Sequence, residues 1–154
     1  LLFAVLFHFI MGFVLEIKNR KARPISYSVN GASANSTWMS RNMIISGAVV
    51  LVFLGVHLLD FWFPTISKNY LGAESTGTEF DHLRVQFSEL WRVALYVFAF
   101  ILLGLHLAHG FQSSFQSIGA RHPQYTPMIK AIGNWYSILI PAGFIFVALF
   151  HFLT

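Results

Sequence analysis

Four long apolar segments occupy most of this 154-residue chain, at about residues 1–17, 43–63, 90–118 and 132–154. A helix needs about 20 mostly apolar residues to cross the hydrocarbon core of a bilayer. Each segment has or approaches that length, and only 10% of the residues are charged, against about 25% in an average soluble domain. So few charges cannot cover a water-facing surface, which argues against a soluble enzyme and against nucleic acid as a partner. The sequence therefore predicts an all-α integral membrane protein, a single domain with four transmembrane helices.

The first segment begins at Leu1 without an initiator methionine and without a polar leader. A signal peptide would carry its basic flank before the apolar run, whereas here the basic residues follow it, between Lys18 and Arg23. We therefore expect a transmembrane helix rather than a signal peptide. We also expect further sequence, including another helix, before Leu1.

The loops differ in charge. Residues 16–42 carry five basic residues and one acid, and residues 112–131 carry two basic residues and no acid. Residues 64–89 carry two basic residues and four acids. Because basic residues concentrate on the cytoplasmic side of membrane proteins, the first two loops are predicted to be cytoplasmic and residues 64–89 external. In the external loop we expect little regular structure beyond an amphipathic turn near Phe80–Phe87.

Five of the seven histidines lie within the apolar segments. A polar side chain is costly in lipid, so an intramembrane histidine indicates a functional site. The chain has no cysteine, which excludes iron–sulfur ligation and covalent c-type haem attachment. A proton relay would need carboxylates in mid-span, and the apolar segments have none there. Zinc would need three or four ligands that converge at one depth. The chemistry that takes neutral imidazoles in pairs is axial ligation of haem iron. The intramembrane histidines are His8, His57, His106, His109 and His151.

These histidines fall at two depths, because a helix rises about 1.5 Å per residue. His8 and either His106 or His109 lie near the inner ends of their segments. His57 lies near an outer end, and His151 reaches a similar depth. This layout predicts two haems stacked across the membrane, which would carry electrons from one face to the other.

Several stretches resemble a known family: LFHFIMGFVLEIKNRKAR, NSTWMSRNMIISG, GVHLLDFWF, LHLAHGFQSSFQSIG and IGNWYSILIPAGF. They are similar to the cytochrome b558-type membrane anchor of succinate dehydrogenase/fumarate reductase. The likeness is closest to the single-subunit, di-haem form with five transmembrane helices from Bacteroidota-like bacteria. The resemblance covers essentially the whole chain, as helices two to five of that bundle.

The resemblance implies a set of haem ligands. His8 matches the ligand on the second family helix, His57 the ligand on the third, and His109 the ligand on the fourth. In the family, the second and fourth helices hold the haem near the cytoplasm, and the first and third hold the outer haem. His8 and His109 are therefore expected at the inner haem, although helix depth slightly favours His106. His57 is expected at the outer haem, its other ligand preceding Leu1, with His151 as the alternative.

The resemblance also implies the activity. The chain would be a di-haem cytochrome b subunit in a bacterial cytoplasmic membrane, passing electrons between an iron–sulfur subunit and a quinone, commonly menaquinone. It would anchor a flavoprotein subunit and the iron–sulfur subunit on its cytoplasmic face. The alternative is the haem b subunit of another membrane oxidoreductase, of the hydrogenase or formate dehydrogenase type.

Hydrogen-bond donors near the inner boundary are candidates for contact with the anionic haem propionates or with quinone. Trp38 offers an indole N–H and Arg41 a guanidinium that pairs with carboxylates, with Ser40 between them in the sequence. Lys21 and Arg23 are instead expected to meet anionic lipid headgroups.

Overall fold

A computed structural model describes residues 2–22, 38–72, 77–120 and 122–154, with the side chain of Met39 left out. These ranges contain helices, turns and short irregular stretches, and no strand. Leu1, Arg23, Glu74 and Arg121, which entered the sequence predictions, lie outside the described residues. The helices are α1 (Leu2–Lys21), α2 (Trp38–Arg41), α3 (Met43–His57), α4 (Phe63–Tyr70), α5 (Glu79–Gln86), α6 (Leu90–Ser117) and α7 (Thr126–Leu153). A π-helical turn, Leu58–Trp62, joins α3 to α4.

Four helical stretches of the described chain are long and apolar enough to cross a membrane. The first, α1, has 20 residues, and the other three have 28 residues each. At about 1.5 Å per residue, 28 residues extend about 42 Å, which exceeds the hydrocarbon core and reaches the headgroup regions. The predicted fold class, an all-α membrane bundle, is confirmed.

The second span is longer than predicted, because it continues through Pro64 to Tyr70 instead of ending at Phe63. Proline lacks an N–H, so it cannot bond the carbonyl four residues earlier, which here belongs to Asp60. The π turn just before Pro64 widens the helix at this point, and the flanking residues keep right-handed helical dihedral angles. His82 Nε2 lies 2.6 Å from the Asp60 carbonyl oxygen and donates to it.

Two other spans also extend past their apolar parts. The last begins at Thr126, six residues before the predicted start at 132, and α1 continues to Lys21 rather than to about residue 17. The backbone remains hydrogen-bonded in these turns whatever the side chains are, and polar side chains there can reach the membrane–water interface. The third span ends at Ser117, one residue before its predicted end.

The α6–α7 pair forms the most extensive helix contact in the bundle. Small residues allow the close approach: a Cβ added to Gly104 would lie 3.0 Å from the Ser137 carbonyl oxygen. A Cβ added to Gly133 would lie 2.7 Å from Cδ1 of Phe111. Small residues are typical of helix interfaces in membranes, where close backbone packing replaces the hydrophobic effect.

Consecutive spans run in opposite directions. The C-terminal ends of α1 and α6 lie beside the N-terminal ends of α3 and α7. Glu16, Met43 and Ser113 line one cavity, and Gln112 Nε2 donates to Asn134 Oδ1 at 3.3 Å. We call this the basic end, because it carries Lys18, Arg20, Lys21, Arg41 and Lys130. At the opposite end, the turn predicted near Phe80–Phe87 forms as helix α5. The expectation of little other regular structure in residues 64–89 is wrong, because α4 and α5 together make most of the described part of this loop helical.

At the opposite end, an aromatic core surrounds Tyr96, which is only 1% exposed. Its hydroxyl donates to Asp60 Oδ2 at 2.8 Å, and Arg92 Nη1 donates to Asp60 Oδ1 at 2.5 Å. The ring of Tyr96 meets Phe53 and Phe87 edge to face. This cluster joins the π turn to the start of α6.

Candidate functional site

His8 and His106 face each other between α1 and α6. Their ring centres are 6.3 Å apart, and the two ring planes are nearly perpendicular, at 89°. Each histidine projects from the interior of a long apolar helix. In such surroundings two adjacent imidazoles offer a pair of metal-ligating side chains.

Both imidazoles line a half-open cavity of about 380 Å³ between α1, α3 and α6, where His8 is exposed and His106 is half-buried. That volume falls in the range of about 300–1,000 Å³ that is usual for small-molecule and cofactor sites. The wall is mostly apolar, and its few polar groups besides the histidines are Glu16, Asn19 and Ser113, towards the basic end. An apolar cavity with two adjacent imidazoles and a polar rim is suited to a mostly apolar ligand that carries a metal ion.

The spacing of the two rings can be compared with the needs of a metal ion. An imidazole nitrogen lies about 2 Å from a metal that it ligates, and the ring centre lies about 1 Å further out, so two ligands on opposite sides of one metal have ring centres about 6 Å apart. The observed 6.3 Å fits this requirement. Haem iron in b-type cytochromes takes two such axial side chains, so the residues present fit a haem.

His106 is supported by α3. Ser46 Oγ lies 3.3 Å from His106 Nδ1, and the neighbouring Gly47 leaves room for the ring: a Cβ there would lie 3.2 Å from His106 Cε1. Neither Ser46 nor Gly47 was among the residues predicted from the sequence. The available signal was a hydroxyl and a glycine side by side in an otherwise apolar segment.

His109, the inner ligand implied by the resemblance, lies one turn further along α6 and does not line the cavity. It is half-buried, and the ring that faces His8 belongs to His106. The structure therefore brings together the pair that depth favoured. The role of His109 stays a prediction.

His57 lies at the other depth, at the C-terminal end of α3. Its ring packs against Phe53, Phe61 and Tyr96, with ring centres 6.1, 5.3 and 6.2 Å away. His151 packs instead against the rings of Phe80 and Phe150, at 5.4 and 5.3 Å. The two histidines thus lie in separate aromatic surroundings, and ligation of an outer haem by His57 stays a prediction.

Trp38, Ser40 and Arg41 form the short helix α2 at the basic end, with contacts to α3 and α6. None of the three lines the cavity. The Trp38 side chain is largely exposed, and its backbone carbonyl accepts a hydrogen bond from Asn42 Nδ2 at 2.9 Å. Their predicted contact with propionates or quinone is not tested by this arrangement.

Comparison with known proteins finds no match for this chain: no protein-family model, curated protein sequence or solved structure matches it.

Proposed function

We propose that this chain is a b-type haem-binding membrane subunit whose inner haem is held by His8 and His106. The observation that carries the proposal is the facing pair of imidazoles on the wall of an apolar cavity, at the separation that one metal between two ligands requires. His106 replaces His109 in this proposal because it lines the cavity and faces His8. A bound haem supplies a carrier that takes up and releases one electron at a time.

The chain's own residues would serve this carrier in three ways. His8 and His106 provide imidazole nitrogens from two different helices. Apolar side chains such as Val5, Leu51 and Leu54 line the cavity and exclude water, and the dielectric and solvent access around a haem set its reduction potential. Ser113, Asn19 and the backbone near the rim offer polar groups at the basic end.

On the resemblance, we further propose that this subunit is the di-haem anchor of a succinate:quinone oxidoreductase. His57 would ligate the second, outer haem, and electrons would pass between an iron–sulfur subunit and menaquinone. The basic end would face the cytoplasm of a bacterium and hold the flavoprotein and iron–sulfur subunits. The shared position of Lys18, Lys21, Arg41 and Lys130 at one end of the bundle supports this orientation.

Haem content of single-histidine variants tests the ligand assignment. We expect His8→Ala and His106→Ala each to lose one haem per chain, measured as pyridine haemochrome on purified protein. His122→Ala is the matched control, since this exposed loop histidine also lies at the basic end, and it should retain all haem. Loss in His109→Ala with retention in His106→Ala would move the assignment to His109. Full retention in His8→Ala would contradict the site.

Copurification tests the larger assembly. A flavoprotein and an iron–sulfur protein that copurify with succinate–quinone activity would support the succinate:quinone anchor. Copurification with a hydrogenase or formate dehydrogenase catalytic subunit would instead support the alternative haem b subunit, while leaving the haem site unchanged.

A further inference from the structure

Ser46 lies on α3 beside His106, and it does not itself line the cavity. Its hydroxyl oxygen makes two contacts. It lies 3.0 Å from the backbone carbonyl oxygen of Met43 and 3.3 Å from Nδ1 of His106. Both groups are half-buried within the span, where an unsatisfied polar group is costly.

The direction of these hydrogen bonds follows from the number of protons available. A serine hydroxyl has one proton to donate and two lone pairs to accept with. A backbone carbonyl can only accept, and the Met43 carbonyl oxygen is the nearer of the two partners, at 3.0 Å against 3.3 Å, so the Ser46 proton is assigned to Met43. Towards His106 the hydroxyl oxygen can then only accept, which requires the His106 proton to be on Nδ1. The other ring nitrogen, Nε2, is left with its lone pair.

We propose that Ser46 is a positioning residue for the haem ligand His106. It fixes the tautomer with Nδ1 protonated, holds the ring orientation, and strengthens Nε2 as an electron donor to iron. This inference rests on the proposed function. Hydrogen bonds from the second ring nitrogen of a ligating histidine have these effects on other metal sites, and their loss typically changes metal affinity 10- to 100-fold.

The test compares the midpoint potential of one haem between the unmodified protein and the Ser46→Ala variant. The haem in question is the one that is lost in His106→Ala. Without the acceptor, the imidazole donates less to iron, which weakens the ferric form more than the ferrous form. We expect the ferric-to-ferrous stability ratio to fall about tenfold, which raises the potential of this one-electron couple by about 59 mV. The low-spin ferric electron paramagnetic resonance signal should shift with it. Ser46→Thr keeps a hydroxyl and should restore both values.

Ser114 provides the matched control. Its hydroxyl donates to the carbonyl of Phe111 three residues earlier at 2.8 Å, as Ser46 does to Met43, but Ser114 is exposed and faces no histidine. Ser114→Ala should leave the potential and the resonance signal unchanged. If Ser46→Ala matches Ser114→Ala, or if Ser46→Thr shifts the potential as far as Ser46→Ala, the positioning role is overturned while the haem site stands. Absence of b-type haem from the unmodified protein would instead overturn the proposed function itself.

Discussion

Breaking the Asp60–Arg92 ion pair should destabilise the bundle far more than breaking an exposed pair. The Arg92 and Asp60 side chains retain only 21% and 13% of their exposure, and Asp60 also accepts from Tyr96. Removing one partner of a buried pair leaves an uncompensated charge and costs about 3–5 kcal/mol. Because both groups keep some exposure, we expect about 3 kcal/mol for Arg92→Gln.

A second ion pair of this chain, which is more exposed, serves as the comparison. The Arg20–Glu16 pair joins residues four apart on α1, and the two side chains are 76% and 35% exposed. Exposed helix pairs of this kind contribute about 0.3–0.5 kcal/mol, so Arg20→Gln should change the free energy of unfolding by no more than that. The expected ratio between the two variants is therefore about sixfold or more.

The assay is unfolding in mixed micelles with increasing dodecyl sulfate, followed by helical circular dichroism. A double-mutant cycle with Asp60→Asn isolates the pair: we expect the double variant to be little less stable than either single variant. The reasoning is refuted if Arg92→Gln and Arg20→Gln differ by less than about 0.5 kcal/mol, since the burial of the Asp60 pair would then have no energetic consequence.

Two further predictions concern the packing of α7 glycines and the pKa of Asp81 in helix α5. Gly133→Ala places a Cβ 2.7 Å from an α6 ring and should cost about 1–3 kcal/mol by overpacking. Gly143→Ala, whose added Cβ meets no described atom of another helix within 4 Å, should unfold at a dodecyl sulfate fraction no lower than that of the parent, because alanine favours the helix over glycine. Hydrogen bonds from the backbone N–H and the hydroxyl of Thr78 lower the pKa of Asp81, so this cap stabilises α5 above the ordinary carboxyl pKa and its contribution is lost as the pH falls through the lowered value; Thr78→Val should raise that pKa in a carboxyl titration followed by nuclear magnetic resonance, and an unchanged pKa would contradict the capping role.

The four spans were predictable because apolar length is a strong signal that depends on little else. The ends of the spans were harder to predict. Pro64 normally marks the end of a helix, and the continuation to Tyr70 depends on a π turn and on His82 from a distant part of the sequence. Because the donor and the acceptor of this hydrogen bond are 22 residues apart, no local sequence pattern predicts it.

The candidate site was predictable in its residue type, whereas helix depth and the family resemblance indicated different partners for His8. Intramembrane histidines stand out in an apolar chain, and depth brought His8 near two candidates on α6. Helix rotation decides which of His106 and His109 faces the cavity, and rotation is set by contacts such as those of Gly47 and Gly104. Ser46 was missed for the same reason, because its contact with His106 forms only when α3 lies against α6.

The most direct test of the haem proposal is the reduced-minus-oxidised absorption spectrum of the purified protein, produced in a host that supplies haem. We expect the α-band of a b-type cytochrome, with both axial positions filled by histidine. A purified, helical, membrane-inserted protein whose spectrum shows no such band would contradict it.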